Sequence, residues 1–305
     1  MKAAPLRRAA AAALVAAGGL LAAAAAPAAS LQSCTEQPTL SAAQQSVLLQ
    51  VSLRVKAELE RRGADVALVA RSGLALGWFD MRYSHAGLAL RASPETPWAV
   101  RQLYFACDEQ QPRLFDQGLT AFLMGTLNPG LGYLSVVLLP REAAAALEAT
   151  ALDRPTALAL LGRRYSANAW AGGLVYQNCN QWLAELMAVA WGAPRSEQLR
   201  VPAQQWLREQ GYRGTTFQLP ARPFTWLTAF SPWLNRDDHP AEQLAQARFE
   251  VSMPASLEAF VQRLHPGAER FEVCHTDRRM VLREGWTPIA DGCVPAPGDE
   301  VTDLR

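Results

Sequence analysis

Four short β-like runs sit in the first half of the chain and helices follow them, an order that limits the fold more than any other feature. The runs are residues 65–71 (DVALVAR), 84–91 (SHAGLALR), 98–107 (WAVRQLYFAC) and 133–140 (YLSVVLLP). The links between them carry turn residues, as in RASPETP at 91–97, so neighbouring strands are expected to be antiparallel. Ahead of them, Val47, Leu48, Val51, Leu53, Val55 and Leu59 mostly recur at helical spacing with Lys56, Glu58, Glu60, Arg61 and Arg62 on the other faces, which predicts a surface helix over 41–63. Further helices are expected at 141–152, 156–164, 178–191, 203–210 and 256–266. No internal repeat and no long linker interrupts this order, so one α+β domain is expected over 29–265. The Gly-, Pro- and Asp-containing remainder, 266–305, reads as a loop-rich C-terminal extension.

The first residues bear on the compartment. Lys2, Arg7 and Arg8 precede an Ala/Leu/Gly run that closes on Ala26-Pro27-Ala28, the pattern of a secretory signal over 1–28, and this predicts a periplasmic or secreted protein. The stretch LQSC, 31–34, also resembles a lipobox, and on that alternative a lipid on Cys34 would tether the mature chain to a membrane. Removal of the three basic leader residues turns a net charge of +1 slightly acidic, which argues against a nucleic-acid partner. Cys34, Cys107, Cys179, Cys274 and Cys293 are an odd set for an oxidising compartment, so one thiol is left over. Cys274 and Cys293, close in sequence, are the expected pair, and a Cys34–Cys107 bridge would leave Cys179 free. Spacing alone does not choose among the three pairings of four cysteines.

Cys179 follows Asn178, a good N-cap, and opens a segment whose Trp182, Leu183, Leu186, Met187 and Ala190 form an apolar face. The positive end of a helix lowers a thiol's pKa, and this places a candidate nucleophile at Cys179. Of the four histidines, His85 is the best-placed base. It opens a strand with small residues, Gly87 and Ala89, on the same side. Gln102 lies on the next strand, and its amide oxygen is a candidate to orient the imidazole. The competing readings are a buried structural cysteine, a strand-end histidine bonded to backbone and a half-exposed strand glutamine.

These segments carry a resemblance. YSHAGLAL followed by QNCNQWLAELM is similar to the His-strand and Cys-helix of circularly permuted papain-like hydrolases, the group of lecithin-retinol acyltransferase and its bacterial NlpC-type relatives. RYSHAGLALR, YQNCNQW, GYRGTTF and DDHP together resemble the bacterial family of domain of unknown function 2145, over about 64–264. The resemblance implies a papain-like, circularly permuted α+β fold in which an antiparallel sheet packs against the helix carrying the cysteine. It also implies Cys179 as nucleophile, His85 as base and Gln102 as third residue. The expected activity is that of an exported thiol hydrolase or acyltransferase, with an envelope peptide, lipid or glycan as substrate. The alternative is a catalytically silent envelope protein that binds a ligand in the same cleft.

Other constellations are weaker. RDDHP, 236–240, reads as a capped turn rather than a metal site, and there is no HExxH or paired CxxC. The glycines of 128–134 lack the spacing of a phosphate loop. No metal or other cofactor is expected.

Overall fold

The computed structural model describes residues 39–74, 76–221, 225 and 233–304; the leader and Cys34 lie outside them. Helix α1, Ala42–Arg61, starts at a capping box in which Gln44 N–H donates to Ser41 Oγ at 3.2 Å while Gln44 Oε1 accepts from the Ser41 amide. Strands β1 (Val66–Arg71), β2 (His85–Leu90), β3 (Ala99–Ala106) and β4 (Gln111–Gln117) form a meander. A short helix α2 (Leu119–Met124) leads to β5 (Leu131–Leu138), and α3 (Arg141–Leu152) and α4 (Arg154–Ala159) follow. Then come α5 (Cys179–Trp191), α6 (Arg200–Glu209), β6 (Thr215–Gln218), α7 (Ala241–Ala245), β7 (Arg248–Val251) and α8 (Pro254–Leu264). The chain closes with β8 (Glu269–Thr276), β9 (Arg279–Glu284) and β10 (Glu300–Asp303).

Eight strands make one antiparallel sheet in the order β10-β9-β8-β5-β1-β2-β3-β4, and β6 and β7 form a separate pair. The fold is therefore mixed α+β with a large antiparallel sheet. Strand alternation divides the core between the two faces. On one face Ala86, Leu88, Leu90 and Leu103 pack with α5, and α3, α6 and α8 cover α5 from behind. On the other face Val69, Ala89, Val100, Leu134 and Val136 pack under α1 and α2. Among the described residues no helix is long and apolar enough to cross a membrane.

The segment read as a loop-rich extension differs from that expectation. Strand β8 pairs with β5 along its whole length, deep in the sheet, and β9 and β10 extend it outward, so the domain runs on to the C-terminal strands. Polar residues in β8 break the apolar pattern that would have announced it. Glu272, fully buried, accepts from Arg82 at 2.8 Å, from the Ile289 amide at 2.7 Å and from the Tyr83 hydroxyl. Cys274 and Cys293 form the expected disulfide, which ties the segment after β9 to β8. Cys107 is also disulfide-bonded, and Cys179 is a free thiol.

Helix α5 is not the one-faced amphipathic helix of the sequence reading. Every residue from Cys179 to Val189 is buried, because α5 lies between the sheet and a second layer of helices. Trp182, Leu183, Leu186 and Met187 are fully buried, and each contributes about 1.5–3 kcal/mol by leaving water.

Candidate active site

The N-terminus of α5 is fixed by its own sequence. Asn178 Oδ1 accepts from the Gln181 amide at 2.7 Å, and the Asn178 amide group donates to the carbonyls of Ala167 and Ser252, both at 3.2 Å. A cap held at both ends of its amide sets the direction of the first turn, and Cys179 sits in that turn. Asn180 Nδ2 reaches the carbonyl of Ser84, 3.4 Å away, so the helix start lies against the entry to β2.

That entry is a gap in the sheet. Strand β2 pairs with β1 from His85 to Leu90 but with β3 only from Leu88 to Leu90, leaving the first half of β2 unpaired on the β3 side. The backbone amides of Asn180, Cys179 and Ala86 there act on the Cys179 thiol, each favouring its ionised form.

His85 reaches across the same gap. Its Nε2 lies 2.6 Å from Gln102 Oε1 on β3, and Gln102 Nε2 donates to Gln117 Oε1 on β4 at 2.7 Å. This second bond assigns the amide orientation: Gln102 presents its oxygen to His85, so Nε2 carries the proton and Nδ1 is the unprotonated nitrogen. Gln102 is fully buried, and the imidazole packs against Tyr104 at 4.9 Å and Phe122 at 5.9 Å between ring centres. Gln117 had no signal in the sequence, because a glutamine on a polar edge strand looks solvated.

The thiol and the imidazole come to the gap from opposite faces. His85 shares its face with Arg71, Val100 and Phe122, whereas Cys179 belongs to the cluster with Ala86 and Leu88. Among the described residues no hydrogen bond joins Cys179 to His85. Their charge states at rest also depart from the sequence expectation of a helix-activated thiolate. Burial pushes the Cys179 thiol up to about 11, and the three amides and the Arg71 charge oppose that push without overcoming it. Burial also pushes His85 down to about 3, helped by Arg71 and opposed by the bond to Gln102. Both groups are therefore neutral near pH 7.

A family model described as an uncharacterized protein conserved in bacteria (DUF2145) matches residues 58–261. The chain belongs to that family. Comparison of this DUF2145 protein with curated proteins and with solved structures finds no match. The matched span holds Arg71, His85, Gln102 and Cys179, and ends before the C-terminal strands that complete the sheet.

The DDHP stretch of this DUF2145 chain acts as a clamp on the loop before α5. Asp238 accepts from the Trp170 amide at 2.9 Å, His239 Nε2 lies 2.7 Å from the Asn168 carbonyl, and Asp237 accepts from the Tyr176 hydroxyl at 3.1 Å. No group of three or more potential metal ligands occurs among the described residues.

Proposed function

We propose that the chain is an exported thiol hydrolase or acyltransferase of papain-like, circularly permuted fold, acting on an amide or ester bond in an envelope peptide, lipid or glycan. The observation that carries this reading is the bond from His85 to Gln102, which holds an imidazole by an amide oxygen and leaves Nδ1 as a base. The start of a capped helix presents a free cysteine at the same gap.

The reaction begins from neutral partners. As Sγ attacks the carbonyl carbon, its proton passes to His85 Nδ1, a transfer that requires the two groups to come within hydrogen-bond reach of each other. The N–H groups of Asn180 and Ala86, which favour the ionised thiol, would donate to the developing oxyanion. The imidazolium then protonates the leaving amine or alcohol, and an acyl thioester remains on Cys179. Water or an acceptor hydroxyl or amine, deprotonated by His85, takes the acyl group and regenerates the thiol.

A second reading, a silent envelope protein binding a ligand in this cleft, is favoured by one observation: the thiol, 6% exposed, and the imidazole approach from opposite faces. Incubation with p-nitrophenyl acetate separates the two. The hydrolase reading predicts one acetyl group on Cys179 by intact-protein and peptide mass, absent from a folded Cys179→Ala variant. Wild-type protein that stays unacetylated at Cys179 overturns it and leaves the silent reading.

A further inference from the structure

Arg71 closes β1 directly opposite His85, and its side chain is almost fully buried, with the residue 4% exposed. Nη2 donates to the Tyr104 hydroxyl at 2.8 Å and Nη1 to the Ser72 carbonyl at 3.3 Å, while Nε has no partner. The other inward-facing arginines each hold a carboxylate: Arg82 with Glu272 at 2.8 Å, Arg101 with Asp116 at 2.5 Å, Arg200 with Glu185 at 2.8 Å and Arg270 with Glu258 at 3.2 Å. Among the described residues, Arg71 has no acidic partner. A buried guanidinium without a counterion is costly, and the usual remedy is a planar anion taken in two-point contact.

The surroundings are shaped around this group. A Cβ at Gly73 would stand 2.6 Å from Nη1, and one at Gly125 would stand closer still to Nη2, so two glycines make its room. The Phe122 ring lies beneath it, 5.3 Å from Cζ. Arg71 also borders a small cavity between α1, α2 and the sheet, whose wall includes Ser72, Thr126 and a buried His275 with an unpartnered Nδ1. A buried guanidinium and a buried imidazole thus line one cavity, and no carboxylate side chain lines it.

Resting on the thiol-hydrolase reading, we propose that Arg71 is the specificity residue of this site: the substrate is an acyl compound with a free carboxylate near its scissile bond, and that carboxylate completes the guanidinium. Neutral lipid esters and neutral glycans are excluded as preferred substrates. Recognition is coupled to chemistry, because the Arg71 charge is one of the two causes that hold His85 low, and an anion seated on it offsets that cause. The imidazole becomes a stronger base when the acidic substrate is in place.

The test compares alkylation of Cys179 by iodoacetate and by iodoacetamide, reagents that form the same carbon–sulfur bond with loss of iodide and differ in carrying a carboxylate or a carboxamide. The iodoacetate-to-iodoacetamide rate ratio at Cys179 is expected to exceed that of glutathione by about tenfold or more, and to return to the glutathione value in Arg71→Gln. A wild-type ratio equal to that of glutathione overturns the proposal. A second arm is independent of thiol reactivity: at equal ionic strength, acetate should raise the melting temperature of wild-type protein more than acetamide does, and Arg71→Gln should lose the difference. If Cys179 reacts with neither reagent, the hydrolase reading fails while the acetate arm still decides the anion site. No acetate effect on wild-type protein then removes that as well.

Discussion

Glu185 and Arg71 are both buried ionisable groups, yet their surroundings differ. Glu185, in the middle of α5 and fully buried, accepts from Arg200 at 2.8 Å, from Gln177 at 2.6 Å and from Gln204 at 2.7 Å. Burial pushes its carboxyl above the usual range, and Arg200 and the two amides work against that push. Arg71 has only a hydroxyl, a carbonyl and an aromatic ring. The first arrangement ties α5 to α6 and to the loop before α5, and every one of its partners lies in the chain. The second leaves a charge beside a histidine and a cysteine with nothing in the described chain to complete it. This contrast is why Arg71, and not Glu185, is proposed to take its partner from outside the chain.

The comparison breaks most visibly in stability. Glu185→Ala, which strands Arg200, should cost about 3–5 kcal/mol in urea denaturation, whereas Arg71→Met should be neutral or stabilise by about 1 kcal/mol because it removes an uncompensated charge. Equal losses from both substitutions would mean that Arg71 is a structural residue like Glu185.

A smaller effect sharpens the comparison through pH. The unfolded chain protonates His85 near 6.5, but the folded protein holds it neutral down to about 3, so the unfolded state binds the extra proton in that window. Stability should therefore fall as pH drops from 6.5 toward 3. Arg71→Met removes one cause of the depression, raises the folded-state value and narrows the window, so its stability should fall less over the same range. His275, also held low by burial, contributes to both proteins and cancels in the difference. Identical acid slopes would show that the guanidinium does not act on His85.

The parts of the fold legible in the sequence are those where burial follows a simple period. Strands β1, β2, β3 and β5 are apolar runs between turns, and α1 and α5 carry helical spacing with caps. Strand β4 escaped because it is a half-exposed edge carrying Pro112, Arg113 and Asp116, residues that also describe a loop. Strand β8 escaped because Arg270, Glu272 and His275 sit at buried positions, and the partners that make their burial possible lie on distant segments. In the site, His85, Gln102 and Cys179 were singled out by residue type and by their place on strands and a helix. Arg71 was not, because an arginine ending a strand looks solvated, and the lack of an acidic partner is a property of the packed molecule. The Cys179 thiol departs from the helix-terminus expectation for a related reason: the amides act on the sulfur as expected, but the depth of burial outweighs them.

The central claim is that imidazole and thiol work as a pair although they enter the gap from opposite faces. The measurement that tests it most directly is the single-turnover rate of Cys179 acetylation by p-nitrophenyl acetate at pH 7, in wild-type protein and in His85→Ala. The account predicts a loss of about 100-fold or more in the variant, the contribution expected of a positioned general base. Equal rates in the two proteins would mean that His85 takes no part in the chemistry of Cys179, and would contradict the account.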